Sequence, residues 1–157
     1  MAENNIYYSL LTIHVLAVIV WVGGMFFAHM VLRPTAQSAM EPPQRLPFLA
    51  QIFSRFFLWV WMAIILLWFT GAWITFGFYG GMVHAPVYLH IMWTLGGLMT
   101  ILFSYIFFVP FPRFKRAIVN KNFPLAGQHM NRIRLIVLIN LILGISTSII
   151  AIMGKAM

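Results

Sequence analysis

Residues 6–32 read IYYSLLTIHVLAVIVWVGGMFFAHMVL, a run with no Asp, Glu, Lys or Arg. A helix needs roughly 20 mostly apolar residues to cross the hydrocarbon core of a bilayer, and this run exceeds that. It is too long for the apolar core of a signal peptide, and no Lys or Arg precedes it, so a cleaved leader is not expected. Three further stretches read the same way. They cover about 55–78, 86–111 and 132–153, the last entered through Arg132 and Arg134. Pro86 suits the first turn of the third helix. Arg33-Pro34 closes the first stretch, and Pro110 and Pro112 bracket the end of the third.

Composition agrees. Of 157 residues, 62% are hydrophobic and 8% charged, against about 45–50% and 25% in soluble domains. A water-soluble fold is excluded. The expected architecture is all-α: an integral membrane antiparallel four-helix bundle over 1–157, one membrane domain without a soluble appendage. With no cysteine, disulfides, thiolate metal sites and cysteine nucleophiles are ruled out. Ten Lys and Arg face two acids, Glu3 and Glu41, for a net charge of +8. Membrane orientation and anionic lipid explain that excess better than nucleic acid does.

Nine of the ten basic residues fall in the first and third connections: Arg33, Arg45, Arg55, Arg113, Lys115, Arg116, Lys121, Arg132 and Arg134. The link Tyr79–Ala85 has none, and the C-terminus has only Lys155. The positive-inside bias places the basic end in the cytoplasm and both termini on the far side.

No Asp or Glu lies within a span, so a carboxylate proton relay or sodium site is not expected. Histidine is what remains. His14 lies roughly 12 Å into the first helix and His90 roughly 6 Å into the third, an outer pair. His29 and His129 form an inner pair near the basic end. His14 and His29 are roughly 22 Å apart along one regular helix, with a rotation of about 60°. Imidazole is a common axial ligand of haem iron, and a flat macrocycle needs small residues beside it. Gly71 and Gly144 fall near the depth of His14, while Arg33 and Arg132 could hold propionates at the inner edge. The plainer reading is that membrane histidines bond a neighbouring helix and glycines serve helix packing. His84 reads as a solvated link residue. Copper is the rival metal, since thioether and imidazole suit Cu(I). Met82-x-His84 in the outer link is the pair placed to meet an external ion.

The pattern His14-Val-Leu-Ala-Val-Ile-Val-Trp21-Val-Gly23-Gly24-Met-Phe26-Phe27, with Leu32-Arg33-Pro34, resembles the opening helix of the CopD (copper resistance protein D) family and of the related HemJ membrane proteins. Tyr88-Leu89-His90, the basic exit Arg113-Phe-Lys115-Arg116-Ala and the entry Asn131-Arg132-Ile-Arg134 are similar as well. The resemblance implies a bacterial inner-membrane four-helix unit with b-type haem on His14 and His90, or copper uptake and tolerance. HemJ proteins carry a lysine two residues after the third-helix histidine, where Met92 stands here, and an Asn-Glu-x-Pro element with no match. Both departures argue against porphyrinogen oxidation.

The reading drawn from the sequence is therefore a b-type haem protein of the inner membrane. It moves electrons across the membrane or from quinol or another redox partner. His14 and His90 ligate an outer haem; His29 and His129 serve an inner one. The alternative is copper uptake or handling through Met82 and His84. A third class is a non-catalytic subunit of a larger membrane complex.

Overall fold

The computed structural model describes residues 2–156, with side chains described from Glu3 to Gly154, so the Lys155 side chain lies outside it. Four helical runs are long and apolar enough to cross a membrane. We label α1 as Glu3–Ala39 and α2 as Pro42–Phe78. The third run divides into α3 (Val87–Phe108) and α4 (Pro110–Val119), and the fourth is α5 (Phe123–Ala156).

The helices outrun the apolar spans, because the basic connections are themselves helical. Arg33-Pro34 does not end α1. The backbone widens to π-type bonding over Ala28–Leu32, and Pro34 then occupies the first turn of a renewed α segment. Leu32 and Arg33 keep helical backbone angles, so Pro34 lies inside the run and removes one donor from it, directly after the widened segment. Pro42 and Pro43 open α2 well before Arg55. The third run breaks at Val109 (φ −113°, ψ −73°), and Pro110 opens α4. A further π segment, Ile19–Gly23, lies between His14 and His29. Bonds from i to i+5 shift the faces that follow, so the rotation expected between those histidines for a regular helix does not hold.

Contacts between α1 and α2 run in opposite senses: Tyr7 stacks edgewise on Phe78, His14 bonds Thr70, and Gly24 packs on Phe56. Between α2 and α3, Trp93 Nε1–H donates to Thr75 Oγ1 (3.0 Å) and Trp68 Nε1–H to Thr100 Oγ1 (3.1 Å). Between α3 and α5, Tyr88 packs on Gly154, and the Asn140 amide donates to the Met99 carbonyl at 3.1 Å. In lipid, apolar surface gains little by leaving one apolar medium for another. Close packing and such interhelical bonds therefore hold the helices together.

Ring packing decides where the bundle is solid. Phe57 lies 4.8 Å from Phe111 and 5.3 Å from Phe103, ring centre to ring centre, and Trp61 lies 5.6 Å from Phe107. These rings fill the basic half. In the other half, glycine, threonine and serine share the inner faces with Trp68 and Trp93, and the helices border a partly open cavity.

At the α4–α5 turn, Lys121 takes φ +54°. Its N–H bonds the Ile118 carbonyl (2.9 Å) and the Asn122 N–H bonds Ala117 (2.9 Å), the paired closure that favours glycine. Lys121→Gly is expected to stabilise the protein by roughly 0.5–1 kcal/mol, the left-handed penalty less glycine's extra unfolded-state entropy. A raised thermal midpoint in detergent checks it.

Candidate functional site

The cavity measures about 660 Å³ and takes its walls from α1, α2, α3 and α5. On α1 the spacing Tyr7, Leu11, His14, Val18, Val22 turns one stripe inward, as a helical period requires. On α3 the wall is Leu89, Met92, Trp93, Gly96 and Met99. Among the described residues, no Asp, Glu, Lys or Arg lines the cavity.

His14 is its most informative group. His14 Nδ1 and Thr70 Oγ1 are 2.7 Å apart, and Thr70 Oγ1 is 2.6 Å from the Leu66 carbonyl. Thr70 is 1% exposed. A hydroxyl has one proton, and the Leu66 carbonyl can only accept. Thr70 therefore donates to Leu66 and accepts from His14 Nδ1–H. That fixes the tautomer: Nε2 keeps its lone pair, has no protein partner among the described residues, and belongs to a side chain lining the cavity. Oriented, neutral imidazoles with Nδ1–H bonded to a second group are how proteins present metal-ligating histidines.

Other groups sharpen the chemistry. Met92 and Met99 add thioethers to the wall. Trp21 is 3% exposed, also lines the cavity, and its Nε1–H has no partner among the described residues. Tyr79 and Tyr88 bond each other (3.0 Å) at the cavity end nearest the link.

The structure does not bring His14 and His90 together. Leu89, Met92, Trp93 and Gly96 hold the inward face of α3, which turns His90 outward; it is exposed, with Nδ1 3.3 Å from its own Pro86 carbonyl. His29 and His129 both lie toward the basic end but not in the cavity. His29 sits in the field of Arg33 and Arg134, and His129 in that of Arg113 and Arg132. Arg33 and Arg132 likewise stand away from the cavity. Among the described residues, no group of three or more His, Asp or Glu is placed to hold a metal.

Gly71 does border the site: a Cβ there would lie 3.5 Å from His14 Cε1. Gly144 also lines the cavity, but a Cβ would come within 2.8 Å of Val22, so it sets the approach of α5 to α1. Met82 is half-buried and His84 exposed in the link, outside the cavity. Thr70 and the unpartnered Trp21 N–H escaped the sequence reading. The available signal was a hydroxyl beside Gly71 at the depth of His14.

The family model for Copper resistance protein D matches residues 50–154. The chain belongs to the CopD family. The match takes in most of α2 and runs through α3 and α4 into α5, and with them Thr70, Met92 and Met99, while His14 lies before it. Membership and four spanning helices mark a multi-pass membrane protein of a family named for copper resistance. No curated protein and no solved structure matches the chain.

Proposed function

We propose that this CopD protein handles copper within the membrane, with Cu(I) bound by His14 Nε2 and cavity thioethers. The observation that carries this is the Leu66–Thr70–His14 relay, which leaves one imidazole lone pair unused on a side chain lining a cavity whose wall also includes Met92 and Met99. Imidazole and thioether suit Cu(I). The absence of a lining carboxylate favours a monocation, since the cost of burying charge climbs steeply with charge. Met92 and Met99 are seven residues apart, roughly 10 Å along α3. They serve as successive partners of His14-bound copper rather than simultaneous ones. Met82 and His84 sit on the link whose flanks, Tyr79 and Tyr88, line the cavity; they take the ion first. With the basic end cytoplasmic, the link and both termini face the periplasm of a bacterial inner membrane.

A specific observation favours a second reading. The cavity is larger than a bare ion needs and lies within the range of organic-ligand sites. The buried Trp21 N–H also lacks an acceptor. A b-type haem would be held by His14 and one thioether, with Gly71 beside the imidazole, and would supply one-electron transfer, with quinol as a candidate donor. Gly96 separates the readings. It lines the cavity, and a Cβ there meets nothing within 4 Å. Gly96→Phe is expected to fill the space, leaving Cu(I) affinity within a few-fold and abolishing any haem. Copper content of purified protein with a reduced-minus-oxidised spectrum tests both. Stoichiometric haem without copper would sink the copper reading.

A further inference from the structure

A second cavity lies outside the proposed function. It lies between α4 and the first turns of α5, measures about 270 Å³, and is lined by Arg113, Arg116, Asn120, Asn122, Leu125 and His129. The α4 sequence explains its charge. Phe111, Phe114 and Ala117 turn inward, which leaves Arg113 and Arg116 on the outer face. The left-handed Lys121 turn folds α5 back, so that Asn120 and Asn122 meet across the same hollow. Asn122 Oδ1 accepts from the Leu125 N–H (3.1 Å). Among the described residues, the two guanidiniums, the Asn120 amide and the His129 ring have no hydrogen-bond or ion-pair partner. Neither of the chain's two acids lines the hollow.

We propose that this hollow binds the phosphate of an anionic phospholipid headgroup. Two guanidiniums offer planar pairs of donors that match phosphate oxygens, and amide and imidazole N–H groups add further donors. Two unneutralised cations converging on a protein hollow are a cost that an anion removes. The position favours a lipid over a soluble phosphate. Leu125 lines the hollow, and further along α5 the exposed Leu135 and Ile139 give acyl chains an apolar surface to lie against. Basic pockets at the end of a helix bundle meet anionic headgroups at that level of a bilayer.

The test uses the whole protein in a neutral detergent. Thermal midpoints are read with added phosphatidylglycerol, phosphatidylcholine or inorganic phosphate, and native mass spectrometry counts retained lipid. Phosphatidylglycerol is expected to raise the midpoint by roughly 5 °C at saturation, with one lipid retained per chain. R113Q/R116Q loses most of the shift. K115Q keeps it, because Lys115 leaves the hollow to lie over the Phe111 ring (4.9 Å). If the double variant fails to fold, R116Q alone is expected to weaken retention at least several-fold. An equal shift with phosphatidylcholine, or equal loss in K115Q, overturns the site. An equal shift with inorganic phosphate overturns the lipid and assigns a soluble phosphate.

Discussion

His14→Ala is expected to lower Cu(I) affinity by more than ~100-fold, beyond the roughly 10–100-fold that loss of an outer-shell partner costs. Among the described residues, the variant removes the one imidazole in the cavity wall and leaves the thioethers without an imidazole partner. It leaves Thr70 bonded to Leu66 and so strands no buried hydroxyl. Folding is therefore expected to survive, and the loss is one of ligation. Competition with a colorimetric Cu(I) chelator under reducing conditions reads the affinity, and a detergent melting curve reads the fold. His90→Ala is the matched control. Its ring is exposed on the outward face of α3, so Cu(I) affinity stays within a few-fold. Equal losses in the two variants would return His90 to the site and overturn the geometry proposed for it.

That contrast shows which parts of the site were legible in the sequence. Depth along a helix follows from counting residues at a fixed rise. The four apolar runs, and the presence of His14 and Gly71 at one level, could be read that way. Facing is harder. His90 shares the outer half with His14, yet only the packing of Leu89, Met92, Trp93 and Gly96 decides that it looks away. The two π segments of α1 add a second difficulty, because they change the residues per turn, and only the second has a proline, Pro34, close after it. Helix ends were misread for a related reason. Charged connections reveal where the apolar span stops, but Pro42 and Pro110 each sit in a first turn, where proline is compatible with helix, and the helix runs on past Pro34 after a π segment. The cavity itself has no local signal. It exists because Phe57, Trp61, Phe103 and Phe107 crowd one half of the bundle, while Gly96 leaves open space in the other.

Thr70→Val separates a ligand from a residue that orients one. Valine nearly matches threonine in shape, so packing around a position 1% exposed should hold. What disappears is the acceptor for His14 Nδ1–H. The imidazole is then free to exchange tautomers or rotate, and part of the population presents N–H to the cavity instead of a lone pair. Cu(I) affinity is expected to fall roughly 10–100-fold, less than in His14→Ala. Leaving a buried N–H without a partner also costs about 1–3 kcal/mol of stability, visible as a lowered melting midpoint of the copper-free protein. Bound copper accentuates the difference between variants, since only the oriented ring gains from the metal. Thr70→Ser retains the hydroxyl and the Leu66 bond and is expected to restore most of the affinity. A packing role alone predicts the opposite order, with Val closer to wild type than Ser, because Ser deletes the methyl that Val keeps. The rank of those two variants in Cu(I) affinity therefore decides whether the relay through Leu66 and Thr70 sets the tautomer of His14.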